Sequence, residues 1–350
     1  MLKIDMFSTA DSVKGQGVGS VYDELMNLLR DHFADQLQVE VNRYDRADVS
    51  QYHTINLPFY FSTFSKKRGR KVGMVHFLPE TLDQSLKLPK LFKWFFYHYV
   101  INFYRRMDQL VVVNPAFIPK LVAYGIPRQR ITYVPNFVNH REFHPASREY
   151  KLKLRRKYGY DDRQFIILGS GQVQTRKGVM DFIRLARLNP KIQFIWVGGF
   201  SFGKLTAGYS QLKTMVEHPP VNLAFPGIVD RKAMGSYYQL ADLFLLPSYN
   251  ELFPMSALEA FNCGIPVVLR DLSLYRVIFG HNYATFSSLS NLNQVVHELV
   301  NQSSLLADLR RKSLVVAKRY SSARLAKIWL AFYQNQAKRG EKCQEKMSFR

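Results

Sequence analysis

The sequence predicts an α/β protein with two domains, each built on a parallel β-sheet. At 350 residues the chain is too long for one compact core and has the length of two ordinary domains. Short apolar runs rich in β-branched residues alternate with longer amphipathic stretches, a pattern typical of βαβ units. Two sets of these runs are separated by residues 144–164, a polar and strongly charged segment without a strand pattern. We therefore place the domain boundary near residue 155.

Five strands are predicted in each domain. In the first domain they lie at residues 2–7, 36–41, 71–77, 110–114 and 131–136, and in the second at 165–171, 192–199, 221–227, 243–248 and 265–270. The stretch from Ser304 is predicted to be helical, since residues 321–336 keep an apolar stripe at three-to-four spacing. The resulting bounds are 1–155 and 156–310 for the two domains, and 311–350 for a helical segment that packs back toward the first. Two such sheets facing each other form a crevice at the carboxyl ends of their strands, where ligands bind.

Composition and charge limit the classes of protein. Hydrophobic residues make up 47% and charged residues 22%, which indicates a globular chain. The balance of 49 Lys and Arg against 27 Asp and Glu gives a net charge of +22, which predicts an anionic partner such as nucleic acid, an anionic membrane or a phosphorylated ligand. Two cysteines cannot form a metal cluster or a disulfide framework.

Neither export nor a membrane span is expected. The N-terminus has no charged segment followed by an apolar one of signal-peptide length. The most hydrophobic run, residues 94–104, contains His98 and Asn102 and is much shorter than the roughly 20 apolar residues that a bilayer span needs.

A basic pair follows the first strand of the second domain. Gly169 and Gly171 allow a sharp turn there, and Arg176 and Lys177 stand just before a predicted helix. A solvated pair of basic residues is the simplest interpretation. Basic side chains oppose the dipole at a helix N-terminus, however, so a bound phosphate is the better explanation.

Two glutamates flank a predicted helix start in residues 247–268, PSYNELFPMSALEAFNCGIPVV. Glu251 lies on the loop that leaves a buried strand, whereas Glu259 lies about a turn and a half into a helix predicted from Met255 to Asn262. Pro254 suits the first helical turn. Because carboxylates accept hydrogen bonds from vicinal hydroxyls, one on each side of a diphosphate site matches the layout of a nucleotide sugar.

This segment resembles the signature of the family 4 glycosyltransferases of the GT-B fold, whose two Rossmann-like domains enclose a nucleotide sugar. The match includes the Glu-x7-Glu pair, the Pro-Ser before it and the Gly-x-Pro-Val-Val after it. The segments GSGQVQTRKGV, AYGIPRQRITYVPNFVNHREFHP and KGQGVGSVYDEL extend the resemblance over about residues 1–280. In the last of them Gln16 stands where the family often has glycine.

The resemblance implies a role for particular residues. The catalytic group would comprise His76, Glu251, Arg176 and Lys177, with Glu251 on the transferred sugar and His76 near it. The nucleotide sugar would be bound by Gly171, Arg176, Lys177, Glu251, Leu252, Phe253, Pro254, Met255 and Glu259, with Glu259 on the ribose. The acceptor loop would contain Gly17, Val18 and Gly19. The resemblance also implies transfer with retention of the anomeric configuration, by front-face attack. The sequence contains no Asp-x-Asp pair, so we expect no metal ion and no cofactor, with Arg176 and Lys177 neutralising the leaving diphosphate.

Basic and aromatic residues are concentrated in the first domain, at 64–71 and 86–106. Eight aromatic residues between Phe92 and Tyr104 are more than one helix face buries, which predicts contact with an anionic membrane surface. A core helix with a solvated basic face is the alternative. The predicted membrane-binding residues are Lys66, Lys67, Arg68, Arg70, Lys71, Lys90, Lys93, Trp94, Phe95, Phe96, Arg105 and Arg106.

An amphiphilic acceptor at the inner face of the cell membrane is the expected substrate. Short, very basic members of the family resemble bacterial enzymes that add the second sugar to monoglucosyl-diacylglycerol, in the synthesis of glycolipids that anchor lipoteichoic acid. UDP-galactose or UDP-glucose is the expected donor, and the enzyme is expected to be cytoplasmic and peripheral. The alternatives are phosphatidylinositol, a polyprenyl-linked glycan or a soluble saccharide as acceptor, or a non-catalytic protein that binds nucleotide sugars or nucleic acid. No nucleic-acid module is recognisable. The sequence leaves the hexose, base, linkage, oligomeric state and any activation by anionic lipid open.

Overall fold

The computed structural model describes residues 1–9, 17–79, 90–201, 203 and 206–348, and the chain divides into two compact units. The first unit comprises the described parts of Met1–Asp83, Lys87–Phe137 and Ser322–Arg350, and the second comprises those of Val138–Ser321. Each unit contains one six-stranded sheet whose neighbouring strands are all parallel. The predicted α/β class with two parallel sheets is confirmed.

The sheet of the first unit has the strand order β2-β1-β3-β4-β5-β6. Its strands are β1 (Leu2–Phe7), β2 (Leu37–Val41), β3 (Val49–Tyr52), β4 (Arg70–Val75), β5 (Gln109–Val112) and β6 (Ile131–Tyr133). Five of them match the predicted runs. The sixth, β3, was missed because its Ser50 and Gln51 give it no apolar signal, although all four of its residues are buried.

The sheet of the second unit has the order β12-β11-β10-β7-β8-β9. Its strands are β7 (Ile166–Ser170), β8 (Gln193–Val197), β9 (Leu223–Gly227), β10 (Leu243–Leu246), β11 (Val267–Arg270) and β12 (Ala284–Phe286). The predicted runs again account for five strands. The edge strand β12 is three residues long, which is too short to leave a sequence pattern.

The helices follow the βαβ alternation that a parallel sheet requires. In the first unit they are α1 (Gly17–Phe33), α2 (Leu57–Ser62), α3 (Lys90–Arg105) and α4 (Phe117–Ala123). In the second unit they are α5 (Arg148–Lys157), α6 (Val179–Leu188), α7 (Tyr209–Glu217), α8 (Arg231–Leu240), α9 (Met255–Asn262), α10 (Ser273–Phe279), α11 (Leu289–Asn301) and α12 (Ser303–Arg319). The last helix, α13 (Ser322–Ser348), belongs to the first unit.

The division between the units lies at residues 137 and 138, upstream of the predicted boundary near 155. Helix α5 belongs to the second unit because Asp242 binds it there. Lys151 Nζ lies 2.5 Å from Asp242 Oδ1, and Arg155 Nη2 lies 2.6 Å from Oδ2. The charged residues that suggested a domain boundary in the sequence therefore fix this helix to Asp242, just before β10.

Helix α13 packs on the first unit, beside α1, β3 and β4. Its buried aromatic residues are Trp329, Phe332 and Tyr333, and the rings of Trp329 and Tyr333 stack with centroids 5.5 Å apart. The C-terminal helix therefore supplies core to a domain whose strands lie near the start of the chain. Among the helices that the structure describes, none combines the length and the apolar character that a membrane span needs.

Candidate functional site

The basic pair lies on a short turn between β7 and α6. Residues Thr175–Lys177 form one 3₁₀ turn, and Gly178 then adopts a φ of +70° before α6 begins. A Cβ atom at Gly178 would lie 2.1 Å from the carbonyl oxygen of Pro247. Only glycine allows this close approach, which places the turn against the loop that follows β10.

Lys177, Arg176 and Glu251 are brought together by this approach. Lys177 Nζ donates to Glu251 Oε1 over 2.5 Å, and Ser248 Oγ donates to the same oxygen over 2.7 Å. Arg176 Nη1 lies 3.7 Å from Glu251 Oε2. The Glu251 side chain is 4% exposed and that of Lys177 is 12% exposed. These residues form a nearly buried cluster of two cations and one carboxylate, which we call the Glu251 cluster.

Electrostatics keep Glu251 ionised in this cluster. Burial alone would raise the pKa of Glu251, but the charges of Lys177 and Arg176 outweigh burial and leave the pKa below its usual value. Burial lowers the pKa of Lys177, and the attraction of Glu251 opposes that shift. The cluster therefore holds an acceptor-only carboxylate beside two charged donors.

The backbone at Gly171, just after β7, packs against the side chain of Lys177. Gly171, which follows β7, has a φ of +142°, and a Cβ atom added to it would lie 3.5 Å from Lys177 Cε. Its carbonyl oxygen accepts a 3.0 Å hydrogen bond from Trp196 Nε1. A Cβ atom at Gly198 would lie 2.0 Å from that same oxygen, so Gly198 is a second glycine that the packing requires. The sequence analysis identified Gly171 but missed Gly178 and Gly198.

Helix α9 has the bounds that the sequence predicted, Met255–Asn262. Pro254 is its N-cap residue and accepts hydrogen bonds from the backbone of Ala257 and Leu258, both over 3.1 Å. Phe253 and Met255 are each 9% exposed, and Leu252 is half-buried. The predicted contact residues 252–255 thus form the entry to the helix, directly after Glu251.

Glu259 lies in a second buried cluster. Tyr238 donates its hydroxyl to Glu259 Oε2 over 2.7 Å, and Arg231 Nη1 lies 3.4 Å from Oε1. Arg231 Nε also pairs with Glu142 Oε2 over 3.1 Å. Burial raises the pKa of Glu259 above its usual value, although Arg231 and the Tyr238 hydroxyl lower it in part. The two glutamates of the motif therefore differ: Glu251 is held as the anion, and the charged form of Glu259 is disfavoured.

A pocket of roughly 530 Å³ opens beside the Glu251 cluster. It is lined by Thr175, Arg176, Ala207, Tyr249 and Asn250. Its lining is mostly apolar surface with a few polar groups, Arg176 among them, as in sites that bind small ligands.

A buried ion pair below this pocket was missed by the sequence analysis. Tyr249 donates its hydroxyl to Asp181 Oδ2 over 2.6 Å, and Arg270 donates to the same oxygen. The guanidinium of Arg270 also lies 3.9 Å from the centroid of the Tyr249 ring and donates to the Pro247 carbonyl over 3.1 Å. These contacts join the loop after β10 to β11 and α6. Asp181, Tyr249 and Arg270 lie far apart in sequence, so no local motif could have predicted that they meet.

His76 lies in the first unit, directly after β4, as predicted. It is 6% exposed, and Nε2 has no hydrogen-bond partner among the residues described. Burial lowers the pKa of His76 from 6.5 to about 4, so the imidazole is neutral at neutral pH. Its neighbour is a second buried histidine, His53, whose ring centroid lies 5.7 Å away.

The predicted acceptor loop is only partly described, since residues 10–16 lie outside the described part of the chain. Gly17, Val18 and Gly19 lie in the first turn of α1 rather than on a loop.

The predicted membrane-binding residues have different environments. Arg68 requires a correction: it is 1% exposed, and Nη1 pairs with Asp5 Oδ2 over 3.0 Å. Its guanidinium also lies 5.4 Å from the centroid of the Phe7 ring, so Arg68 is a core residue that cannot contact a membrane. Arg70 and Lys71 are half-buried and lie 3.7 and 3.6 Å from Asp108.

The remaining basic and aromatic residues lie nearer the surface. Lys66, Lys67 and Arg105 are exposed, whereas Lys93, Phe96 and Arg106 are half-buried. The side chain of Lys90 lies outside the described residues. On α3, Trp94 and Phe95 are 55% and 59% exposed, while Phe103 and Tyr104 are buried. The aromatics of this helix therefore divide between core and surface.

Further exposed apolar residues, not identified in the sequence, lie on and beside α2. Leu57, Phe61 and Phe64 are 59%, 66% and 58% exposed. This segment packs against α3, because Tyr60 and Tyr99 lie with ring centroids 5.5 Å apart and Arg106 lies 3.8 Å from the centroid of the Phe64 ring. We call Leu57, Phe61, Phe64, Trp94 and Phe95 the exposed apolar set. Within the part of the chain that the structure covers, no group of three or more His, Cys, Asp or Glu side chains could hold a metal ion.

Two family models match the chain. The model described as glycosyl transferases group 1 matches residues 151–313, and the model described as glycosyltransferase family 4 matches residues 17–142. The first match includes Arg176, Lys177, Glu251 and Glu259, and the second includes His76.

Curated relatives match over nearly the whole chain. Alpha-galactosylglucosyldiacylglycerol synthase of Streptococcus pneumoniae (strain ATCC BAA-255 / R6) is 52% identical over 342 residues, covering 97% of this chain and 91% of that protein. Processive diacylglycerol alpha-glucosyltransferase of Acholeplasma laidlawii is 26% identical over 315 residues, covering 85% of this chain and 89% of that protein.

Solved structures show the same fold at low sequence identity. Anabaena Alr3699/HepE in complex with UDP and glucose matches with a TM-score of 0.77 at 15% identity, covering 95% of this chain and all of that chain. Sucrose-phosphate synthase from Thermosynechococcus elongatus matches with a TM-score of 0.77 at 14% identity, covering 96% and 99%. The predicted GT-B fold class is confirmed.

Proposed function

Since the chain belongs to the group 1 and family 4 glycosyltransferases, we propose that it transfers galactose or glucose from a UDP-sugar to a membrane glycolipid, monoglucosyl-diacylglycerol. The observation that carries this proposal is the 52% identity, over 97% of the chain, to a protein named as an alpha-galactosylglucosyldiacylglycerol synthase. A second relative is named as a diacylglycerol glucosyltransferase, which supports the same acceptor class. The fold is shared with a protein solved with UDP and glucose, which supports a uridine nucleotide donor.

We assign the donor diphosphate to Arg176 and Lys177. Both side chains are more than three-quarters buried, where charge-assisted hydrogen bonds to phosphate oxygens are stronger than in water. Glu251 already neutralises part of their charge, so the cations stay in place before the donor binds. The pocket beside Arg176 gives the ligand access to this cluster.

Glu251 and Glu259 are assigned to hydroxyl groups at the two ends of the donor. Glu251 is held as the anion, so it accepts hydrogen bonds from the transferred sugar. Glu259 is directed to the ribose, as the family resemblance implies. Leu252, Phe253, Pro254 and Met255 connect the two along the donor.

The reaction is proposed to proceed with retention, by attack of the acceptor hydroxyl on the face that the diphosphate leaves. Negative charge then grows on the leaving diphosphate, and Arg176 and Lys177 stabilise it without reorganising, because their contacts with Glu251 hold them already. His76 is neutral and can hydrogen-bond to a sugar hydroxyl.

We propose that the protein acts as a peripheral protein on an anionic membrane surface. Within the exposed apolar set, Phe64 packs against the half-buried Arg106 and is followed in sequence by the exposed Lys66 and Lys67, a combination that suits the interface of anionic lipids. Membrane contact would bring a lipid acceptor to the first unit, the one that contains His76.

A transfer assay tests the proposed function. Purified protein in anionic vesicles is given UDP-glucose, UDP-galactose or GDP-mannose, each against diacylglycerol and monoglucosyl-diacylglycerol, and lipid products are identified by mass spectrometry. A dihexosyl-diacylglycerol from a UDP-sugar is expected, with the α-configuration by NMR. The Glu251→Gln variant serves as the inactive control. Phosphatidylinositol, a polyprenyl-linked glycan and a soluble saccharide are supplied in parallel reactions, and transfer to one of them with no dihexosyl-diacylglycerol would overturn the acceptor assignment.

A further inference from the structure

A chain of hydrogen bonds runs from the C-terminal helix to the histidine pair of the first unit. Tyr333, on α13, donates its hydroxyl to Gln51 Oε1 over 2.9 Å, across 282 residues of sequence. Gln51 Nε2 lies 2.9 Å from His53 Nε2. Tyr333 and Gln51 are fully buried, and His53 and His76 are 3% and 6% exposed. Buried hydrogen bonds of this kind restrict the orientation of the side chains that they join.

This chain of hydrogen bonds assigns the tautomer of His53. Because Gln51 Oε1 accepts from Tyr333, the amide nitrogen of Gln51 is the group that faces His53. An amide nitrogen only donates, so His53 Nε2 accepts, and the proton of the neutral ring lies on Nδ1, a buried atom with no hydrogen-bond partner among the described residues. The ring is neutral because burial, together with the neighbouring His76, lowers the pKa of His53 well below 6.5.

His53 in turn packs against His76. The two rings lie with centroids 5.7 Å apart and planes inclined by 31°. His76 Nε2 has no hydrogen-bond partner among the residues that the structure describes, so packing has to limit the rotation of its ring. The ring of His53 also meets the ring of Tyr22 edge-on, with centroids 5.0 Å apart. This packing restricts the rotation of the His53 ring.

We propose that Tyr333, Gln51 and His53 are positioning residues that hold the imidazole of His76 in one orientation. The proposal rests on the function proposed above for His76. It gives α13 a role in the reaction in addition to its role in the core, since its Tyr333 hydroxyl is the first link of the chain. These three residues act through His76 and do not themselves touch the substrate.

A spectroscopic experiment tests the chain directly. Protein with ¹⁵N-labelled histidine rings is compared as wild type, Tyr333→Phe and Gln51→Glu, with signals assigned from His53→Asn and His76→Asn. In the wild type we expect His53 to carry its proton on Nδ1. A carboxylate at position 51 cannot donate, so Gln51→Glu should move the proton of His53 to Nε2. A wild-type His53 protonated at Nε2 would overturn the proposal.

Kinetics provide the second measurement. Tyr333→Phe keeps the buried ring and removes one hydrogen bond, so we expect kcat to fall about five-fold with the KM for the donor unchanged. The matched control is Tyr52→Phe. Tyr52 follows Gln51 on β3, so its side chain points to the opposite face of the sheet, and the change removes a hydroxyl that lies 3.0 Å from Ser62 Oγ. The control should leave both kcat and the His53 tautomer unchanged.

The two readouts separate this proposal from the proposed function. If the wild type transfers hexose and Tyr333→Phe changes neither the tautomer nor kcat, the positioning chain is wrong and the function stands. If the wild type shows no glycolipid transfer, the proposed function fails, and the ring spectra of wild type and Gln51→Glu still decide whether the chain exists.

Discussion

Lys177 Nζ and Glu251 Oε1 lie 2.5 Å apart, although 74 residues separate them in sequence. The contact joins the turn after β7 to the loop after β10, so one ion pair connects two loops at the carboxyl edge of the same sheet. Both side chains are nearly buried. Loss of either charge would leave the other buried without its nearest partner.

Replacement of Lys177 by methionine should abolish transfer and weaken the fold. The variant leaves Glu251 as a buried carboxylate with Arg176 at 3.7 Å as its remaining cation. We expect transfer to fall at least about 100-fold, since one preformed donor to the leaving group is lost. The free energy of unfolding should fall by about 3 kcal/mol, the cost of a broken buried ion pair. Urea unfolding and the glycolipid assay measure the two effects.

Two further variants control this prediction. Lys213→Met removes an exposed lysine whose Nζ lies 3.5 Å from Glu217 in the same unit, and should change stability by less than about 1 kcal/mol. The double variant Lys177→Met, Glu251→Gln removes both buried charges, so it should regain stability without regaining transfer. Equal stability of the single and double variants would contradict the coupling of this pair.

Glu259→Gln should affect donor binding more than stability. The amide keeps an oxygen for the Tyr238 hydroxyl, and Arg231 keeps Glu142 as its partner at 3.1 Å. Because burial raises the pKa of Glu259, its charged form costs stability at neutral pH, and removal of the charge should leave unfolding within about 1 kcal/mol of the wild type. We expect the KM for the UDP-sugar to rise about ten-fold, because the amide keeps only one of the two oxygens that can accept a hydrogen bond from the ribose. A large loss of kcat with an unchanged KM would contradict the ribose assignment.

Local signals in the sequence predicted the elements around the site with accuracy. Helix α9 has the same bounds in the sequence and in the structure, since Pro254 precedes its first residue and Gly264, with a φ of +66°, follows its end. Arg176, Lys177 and Glu251 were grouped through the family resemblance and the positions of their strands. Their distances depend on the Gly178 approach to Pro247, a tertiary contact that no local pattern encodes.

Arg68 shows where composition misleads. It lies among five basic residues in 64–71, so the sequence placed it with its neighbours on a charged surface. Its side chain instead turns inward to Asp5, 63 residues away, and packs on Phe7. The same limit explains the missed Asp181 and Arg270 pair, since burial of a charge depends on a partner distant in sequence.

The double variant Trp94→Ser, Phe95→Ser should weaken binding to anionic vesicles. Each exposed ring contributes apolar area that a membrane interface buries, so we expect the vesicle affinity to fall at least about ten-fold. Sedimentation with vesicles of anionic and of neutral lipid measures it. Binding of the wild type should also decrease with added salt, because the nearby lysines act through screened charge.

The matched control for this surface lies in the second unit. Val221 and Val315 are 103% and 54% exposed, and Val221→Ser, Val315→Ser removes exposed apolar area from the other unit. This control should bind vesicles as the wild type does. Equal loss of binding in both double variants, or wild-type binding that ignores lipid charge, would rule out the proposed membrane face.

His76 predicts a pH dependence of stability. Burial lowers its pKa from 6.5 to about 4. Between these two pH values the unfolded chain binds a proton at His76 and the folded chain does not. The stability associated with neutral His76 is therefore present above pH 6.5 and is lost as the pH falls through about 4. By pH 5 the loss should be about 2 kcal/mol. His53, whose pKa is also lowered, adds to the wild-type slope, so urea unfolding between pH 7 and 5 should show a slope that is flatter by about this amount in His76→Asn than in the wild type. His218→Asn, a change at an exposed histidine, should keep the wild-type slope; the same slope in all three proteins would contradict a neutral, buried His76.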